Sequence, residues 1–249
     1  MIYCVSDVHG CYDEFRELLE KIGFGIDDEL FFLGDALDRG PEPIRVIKAL
    51  MVMPNAYYIY GNHDIMALSV LRPLTKEITE DSISALPNDI FLRYADWMRN
   101  GGEVTLQQFR ALSRTDQEDI LCYLEEASAY ETLEHDGQLY ILVHAGLSNF
   151  APTKEMDEYT LDDLIWEHAN YDKQYFPGGK IHLVTGHTPT PLIRSDKKPL
   201  VYEENGHIAI DCGCVFGGKL AAYCIETGEA TYVDGKYLHG RGQIWTGKK

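Results

Sequence analysis

Three features of the sequence predict a layered α/β fold. Short apolar runs recur, and each ends in a polar loop marked by glycine. Amphipathic stretches separate the first of them. The runs also lack strict alternation, as strands buried on both faces do. Ile2–Ser6 is the first expected strand, followed by a helix with Phe15, Leu18, Leu19 and Ile22 on one face. Leu30–Leu33 is the second, after which Pro41 and Pro43 open a helix carrying Ile44, Ile47 and Leu50 on one side. Ala56–Tyr60, Leu139–Val143, Ile181–Thr185 and Ile208–Ile210 continue the series. From 67 to about 130 the pattern is helical or irregular, broken at Asn100-Gly101-Gly102. Strand signals of the same kind resume afterwards. The reading is one domain over residues 1–249 with a helical, cap-like insertion at about 67–130. Beyond Ile208, Thr227-Gly228 and Asp234-Gly235 signal hairpin turns.

Composition narrows the function classes. Hydrophobic residues at 45% and charged residues at 25% describe an ordinary globular protein. No stretch nears the roughly 18 uninterrupted apolar residues of a membrane span. The opening MIYCVSDVHG enters a strand at once, which leaves no room for a signal peptide, so a cytoplasmic protein is expected. Cys4, Cys11, Cys122, Cys212, Cys214 and Cys224 form no CxxC pair and read as free thiols. A net charge of -18 is the opposite of a nucleic-acid binder's. Neither nucleic acid nor membrane is an expected partner.

The residues at the end of each apolar run carry the chemistry. The successive ends are Asp7-Val8-His9-Gly10, then Gly34-Asp35 with Asp38-Arg39-Gly40, then Gly61-Asn62-His63-Asp64, His144-Ala145-Gly146 and Gly186-His187-Thr188. In layered α/β folds ligands collect where strands end. Each triplet alone is a weak signal, but five in order are not accidental. Asp7, His9, Asp35, Asn62, His144 and His187 make a mixed nitrogen and oxygen set without thiolate, suited to divalent manganese first, and to iron or zinc. Six donors exceed what one open catalytic metal takes, so two ions are implied, with Asp35 the natural bridge.

These motifs resemble the metallophosphoesterases, or calcineurin-like phosphoesterases. The intact Asp38-Arg39-Gly40, WMRNGGEVT and DCGCVFGGKL resemble segments of its Ser/Thr phosphoprotein phosphatase branch, including the small bacterial and phage enzymes. The resemblance covers residues 5 to about 220. It implies an α-β-β-α sandwich of mixed sheets with flanking helices. It further implies that one ion takes Asp7, His9 and Asp35, the other Asp35, Asn62, His144 and His187, with a hydroxide bridging them as nucleophile. His63 would protonate the leaving oxygen, Asp38 would hold its tautomer, and Arg39 would grip phosphate oxygens. Relatives carry a second arginine in a W-x-R pattern, and His168 stands there in IWEH. His168 could donate to phosphate, or Arg93, Arg99 or Arg110 could reach over. Asp64 is expected only to support its loop. His135, His182, His207 and His239 are read as structural or surface residues.

The leading expectation is a phosphatase acting on phosphoserine or phosphothreonine in proteins, or on a small phosphomonoester. The rival is a symmetrical dinucleoside tetraphosphate hydrolase. A polyphosphate demands several cations near the metals. Arg72, Lys76, Arg93, Arg99, Arg110 and Arg114 of the insertion are outnumbered by acids, which favours the monoester. A non-catalytic binding module is disfavoured, because every ligand and the acid are present.

Overall fold

The apolar runs become strands of two five-stranded sheets, all but the third of them inner. The computed structural model describes residues 1–75 and 89–237. The first sheet is built from β1 (Ile2–Val5), β2 (Glu29–Phe32), β3 (Ala56–Tyr58), β9 (Lys219–Cys224) and β10 (Glu229–Asp234), in the order β10-β9-β1-β2-β3. The second holds β4 (Glu131–His135), β5 (Gln138–Leu142), β6 (Ile181–Thr185), β7 (Tyr202–Glu204) and β8 (His207–Ala209), in the order β4-β5-β6-β8-β7. Both are mixed. β1, β2 and β3 run parallel, as do β5, β6 and β8, while the flanking pairs are antiparallel.

Three apolar layers hold the sandwich together. Between the sheets lie Cys4, Phe31, Leu33, Ile59, Leu142, Val184 and Ile208, all buried. On the outer face of the first sheet, α1 (Tyr12–Ile22) buries Phe15 and Leu18, and α2 (Pro43–Met51) buries Ile44, Ile47 and Leu50. Phe15 meets Phe32 edge-on at 5.9 Å. The helices α3 (Asn62–Thr75), α4 (Ile90–Arg99), α5 (Glu103–Arg110) and α6 (Arg114–Glu125) follow β3, and Trp97, Leu106, Phe109, Ile120 and Leu121 join this same core. The outer face of the second sheet is covered by α7 (Leu161–Ile165) and by long connections that supply Tyr159, Tyr171 and Tyr175. A short helix, α8 (Thr190–Ile193), follows β6.

The structure differs from the expectations in three places. Helix α3 begins at Asn62, so Asn62, His63 and Asp64 sit on its first turn rather than on a loop. Thr227-Gly228 does lie between β9 and β10, but Asp234-Gly235 ends a strand and joins no hairpin among the described residues. Two hairpins carry the turn chemistry instead: Asp136-Gly137 and Asn205-Gly206 have φ of 47° and 73°, and of 55° and 77°. Both central residues then lie in the left-handed region that a tight two-residue turn requires. All six cysteines are free thiols and only Cys122 is exposed. No helix among the described residues is long and apolar enough to cross a membrane.

The histidines outside the motifs divide by environment. His182 stacks on Tyr140 and bonds Gln138, and His135 lies beside Asp136. His239, like Lys76, lies outside the described residues. His207 is buried, its Nε2–H donating to the Lys173 carbonyl at 2.8 Å, and burial pushes its pKa down. The unfolded chain therefore takes up a proton at His207 first as pH falls. The stability so contributed is present above the unfolded pKa of about 6.5 and is lost as pH drops below it. A His207→Phe variant should show a flatter fall in urea midpoint between pH 8 and 5.5 than the parent; parallel curves would contradict this.

Candidate active site

The ends of β1, β2 and β3 and of β5 and β6 bring Asp7, His9, Asp35, Asp38, Arg39, Asn62, His63, His144 and His187 to one place. The backbone there is unusual. Asp7, His9, Asp35, Asp38, Arg39 and His187 all have φ between 43° and 71°, a region that side chains rarely adopt. The turns are fixed by loop-to-loop bonds: Asp7 N–H donates to the Gly34 carbonyl at 3.1 Å, and His9 N–H to that of Asp35 at 2.9 Å. Gly34 has φ of 76°, and a Cβ there would lie 2.4 Å from the Gly61 nitrogen, so no other residue fits.

Asp35 is the centre. Its carboxylate is 1% exposed, accepts the His63 N–H at 3.0 Å, and lies 3.5 Å from His9 Nε2 and 3.4 Å from His144 Nε2. Burial would raise its pKa, but His144, His63 and His9 hold it well below the usual carboxylate range. Behind it, the Asp64 carboxylate accepts the Asp35 and Gly61 N–H groups at 3.0 and 2.9 Å. That matches the loop-supporting place expected for Asp64.

The donor set fits divalent cations on geometric grounds. His9 Nδ1–H donates to the Leu37 carbonyl and His144 Nδ1–H to that of Leu33, each at 2.7 Å. Both rings are thereby turned so that Nε2 faces the centre, the usual support for a metal-binding histidine. His144 Nε2 then lies 3.0 Å from Asn62 Oδ1, which lies 3.0 Å from His187 Nδ1. A ring N–H or a metal ion would bridge atoms this close. Burial disfavours a charged His144, yet Asp35 and Asp7 more than offset it and push its pKa up to about 10. Burial pushes the Asp7 carboxyl up to about 6 and, with His144, pushes His187 down to about 3. Two clusters of candidate ligands share Asp35: one adds His9 and His63, the other His144 and His187. Asp7 joins through its carboxylate, which accepts the His187 N–H at 2.9 Å.

Beside this cluster stands a second group, a histidine bonded to a buried carboxylate. His63 Nδ1–H donates to Asp38 Oδ2 at 2.7 Å, so Nε2 carries the lone pair. Asp38 is fully buried and also accepts from Trp97 Nε1–H at 2.8 Å and Thr105 Oγ1–H at 2.6 Å. Arg39 spans the two histidines, donating to His9 Nε2 and to His63 Nε2. Its guanidinium fork is thus presented at the junction of both groups.

Sequence reasoning missed Trp97 and Thr105 as site residues, although WMRNGGEVT carries both. A third missed residue is Asp211, buried, bonded by the Gly213 N–H at 2.8 Å, and pushed well above the carboxylate range by burial and by Asp7. His168 lies on the exposed rim with its ring 5.0 Å from that of His187 and its Nδ1 2.6 Å from Thr188 Oγ1. Of the arginines weighed against it, Arg93 pairs with Asp89 and Arg99 with Asp96.

This architecture and donor set are those of a phosphoesterase. The calcineurin-like phosphoesterase model matches residues 1–233, and the chain belongs to that family. Among curated relatives, the bis(5'-nucleosyl)-tetraphosphatase PrpE of Geobacillus sp. (strain WCH70), an asymmetrical enzyme, is 30% identical over 88% of both chains. A symmetrical bis(5'-nucleosyl)-tetraphosphatase of Baumannia cicadellinicola subsp. Homalodisca coagulata is 25% identical over 90% of this chain and 89% of its own. A solved structure described provisionally as a diadenosine tetraphosphatase superposes with a TM-score of 0.62 at 20% identity, covering 94% of this chain and 93% of its own. That last likeness shows the fold alone. The relatives' consistent naming overturns the expected phosphoserine and phosphothreonine protein phosphatase.

Replacing Trp97 by Phe removes one of the donors to the buried Asp38. A stability loss of about 1–3 kcal/mol is expected from the unsatisfied acceptor, read from urea denaturation. An unchanged midpoint would show that Trp97 does not support Asp38.

Proposed function

We propose that this chain is a metal-dependent hydrolase of bis(5'-nucleosyl) tetraphosphates. The observation that carries the reaction class is the convergence of five nitrogen and oxygen donors around Asp35 beside the Arg39 guanidinium. The tetraphosphatase relatives support the substrate.

In this reading Asp7, His9 and Asp35 hold one divalent ion, and Asp35, Asn62, His144 and His187 hold the other. Manganese suits the set, as do iron and zinc. Such ions supply neutralisation of the phosphate charge and an activated water at neutral pH. Arg39 places its two N–H groups on oxygens of the phosphate under attack, a task its planar fork suits. His63 carries its neutral-state proton on Nδ1 and, once charged, a second proton on Nε2, which it passes to the departing oxygen. Asp38 keeps the ring in that tautomer and stabilises its charged form, and is itself held by Trp97 and Thr105. His168 Nδ1 is engaged with Thr188, which leaves Nε2 for a substrate oxygen at the rim.

The substrate changes what His63 is needed for. A nucleotide leaves through a phosphate oxygen, a weak base, whereas an alkyl phosphate leaves through an alkoxide. His63→Asn should cost an alkyl monoester about 10²–10⁴-fold in kcat and the dinucleotide distinctly less. Equal losses, with metal content unchanged, would remove His63 from the acid role. Arg39→Ala should mainly raise KM and weaken phosphate inhibition, and unchanged kinetics would exclude the clamp.

The direct test is manganese-loaded protein on diadenosine tetraphosphate, with products separated by chromatography. Release of AMP with ATP, or of ADP alone, supports the reading and identifies the bond cleaved; chelation should abolish it. Turnover of p-nitrophenyl phosphate with no dinucleotide product would overturn it.

A further inference from the structure

Arg39 has a second face. Its backbone N–H donates to the Gly101 carbonyl at 3.0 Å, so the turn between α4 and α5 rests on it. Gly101 has φ of 99°, and a Cβ there would lie 2.9 Å from Arg39 Cγ. Outward from this contact runs a hollow of about 440 Å³ walled by Arg39, Met98, Arg99, Glu103, Gln107 and Tyr237. A second hollow, of about 620 Å³, shares Met98, Glu103 and Gln107 and adds Tyr94, Leu106 and Arg110. Together they form one groove along α5 that starts at Arg39. From Glu103 to Arg110 the helix advances about 10 Å, well beyond one phosphate.

The groove's charge is out of keeping with the chain. Overall there are 22 Lys and Arg against 40 Asp and Glu. The groove walls carry Arg39, Arg99 and Arg110 against Glu103. Arg99 is exposed and pairs with Asp96 at 3.0 Å from outside the walls, and Arg110 forms no ion pair among the described residues. A cleft with a net positive lining in an acidic protein concentrates anions. Tyr94 and Tyr237 are 39% and 36% exposed, so their rings are open to a flat partner. Two other arginines of the insertion are turned to acids away from the groove: Arg72 pairs with Glu118 and Glu125, and Arg93 with Asp89.

We propose that this groove is the subsite for the part of the substrate beyond the attacked phosphate. Arg99 and Arg110 pair with the remaining phosphates, and the tyrosines at its edges stack on the terminal base. The inference rests on the tetraphosphatase reading above and adds to it the residues that recognise a long, multiply charged substrate.

The test compares diadenosine tetraphosphate with p-nitrophenyl phosphate, which ends before the groove. An Arg99→Ala, Arg110→Ala double variant should lose about ten-fold or more in kcat/KM on the dinucleotide relative to its change on the short ester. The loss should sit in KM, and the Lys,Lys variant should recover most of it. Tyr94→Ala, Tyr237→Ala should act in the same sense with a smaller loss. Equal changes on both substrates would overturn the groove while leaving the tetraphosphatase reading intact. A parent protein that hydrolyses the ester but not the dinucleotide would overturn both.

Discussion

Everything in this molecule is arranged around a carboxylate that water cannot reach. Asp35 sits at the end of a central parallel strand, 1% exposed and in a left-handed backbone conformation. An isolated buried carboxylate is prohibitively costly unless paired. The structure meets that cost from two directions. Imidazoles from the other strand ends approach from one side, and from another the His63 backbone N–H donates to the carboxylate at 3.0 Å. For histidines of both sheets to reach one carboxylate, the sheets must stack with the ends of β2 and β5 level. The apolar layer of Phe31, Leu33, Ile59, Leu142 and Val184 sets that stacking. The strained turns at six site residues persist because neighbouring loops bond to each other over-completely.

The division of labour follows from burial. His9 and His144 are oriented by backbone carbonyls on Nδ1, which turns their Nε2 atoms inward toward Asp35. His63 is oriented instead by a carboxylate, Asp38. Asp38 in turn depends on Trp97 and Thr105, contributed by α4 and α5. The helices after β3 are therefore tied to the candidate site, and Trp97 reaches Asp38 from a fully buried position.

Much of this was legible in the chain. Buried parallel strands read as apolar runs, and a strand end that must turn beside a ligand writes a glycine next to an acid or a histidine. Those two signals pointed to the six candidate donors and Arg39, and the family resemblance added the pairing of His63 with Asp38. Strands β4, β7 and β10 were harder: Glu131–His135 and Glu229–Asp234 are half-exposed edges whose polar residues mask the pattern. Trp97 and Thr105 could not be placed because their contact with Asp38 joins segments 59 and 67 residues apart. The substrate was misread for a related reason. Counting arginines against acids along the insertion ignores which side each one faces. Arg72 is neutralised by two glutamates, whereas Arg99 and Arg110 face a groove beginning at Arg39. Motif residues report on the phosphate that reacts; the residues that hold the rest of a substrate come from positions with no fixed spacing.

The central claim is that the donors around Asp35 make a two-ion centre. Anomalous diffraction from crystals grown with manganese tests it most directly. Two peaks about 3.5–4 Å apart, both within bonding distance of the Asp35 carboxylate, are expected. A single peak, or two that do not share Asp35, would contradict it.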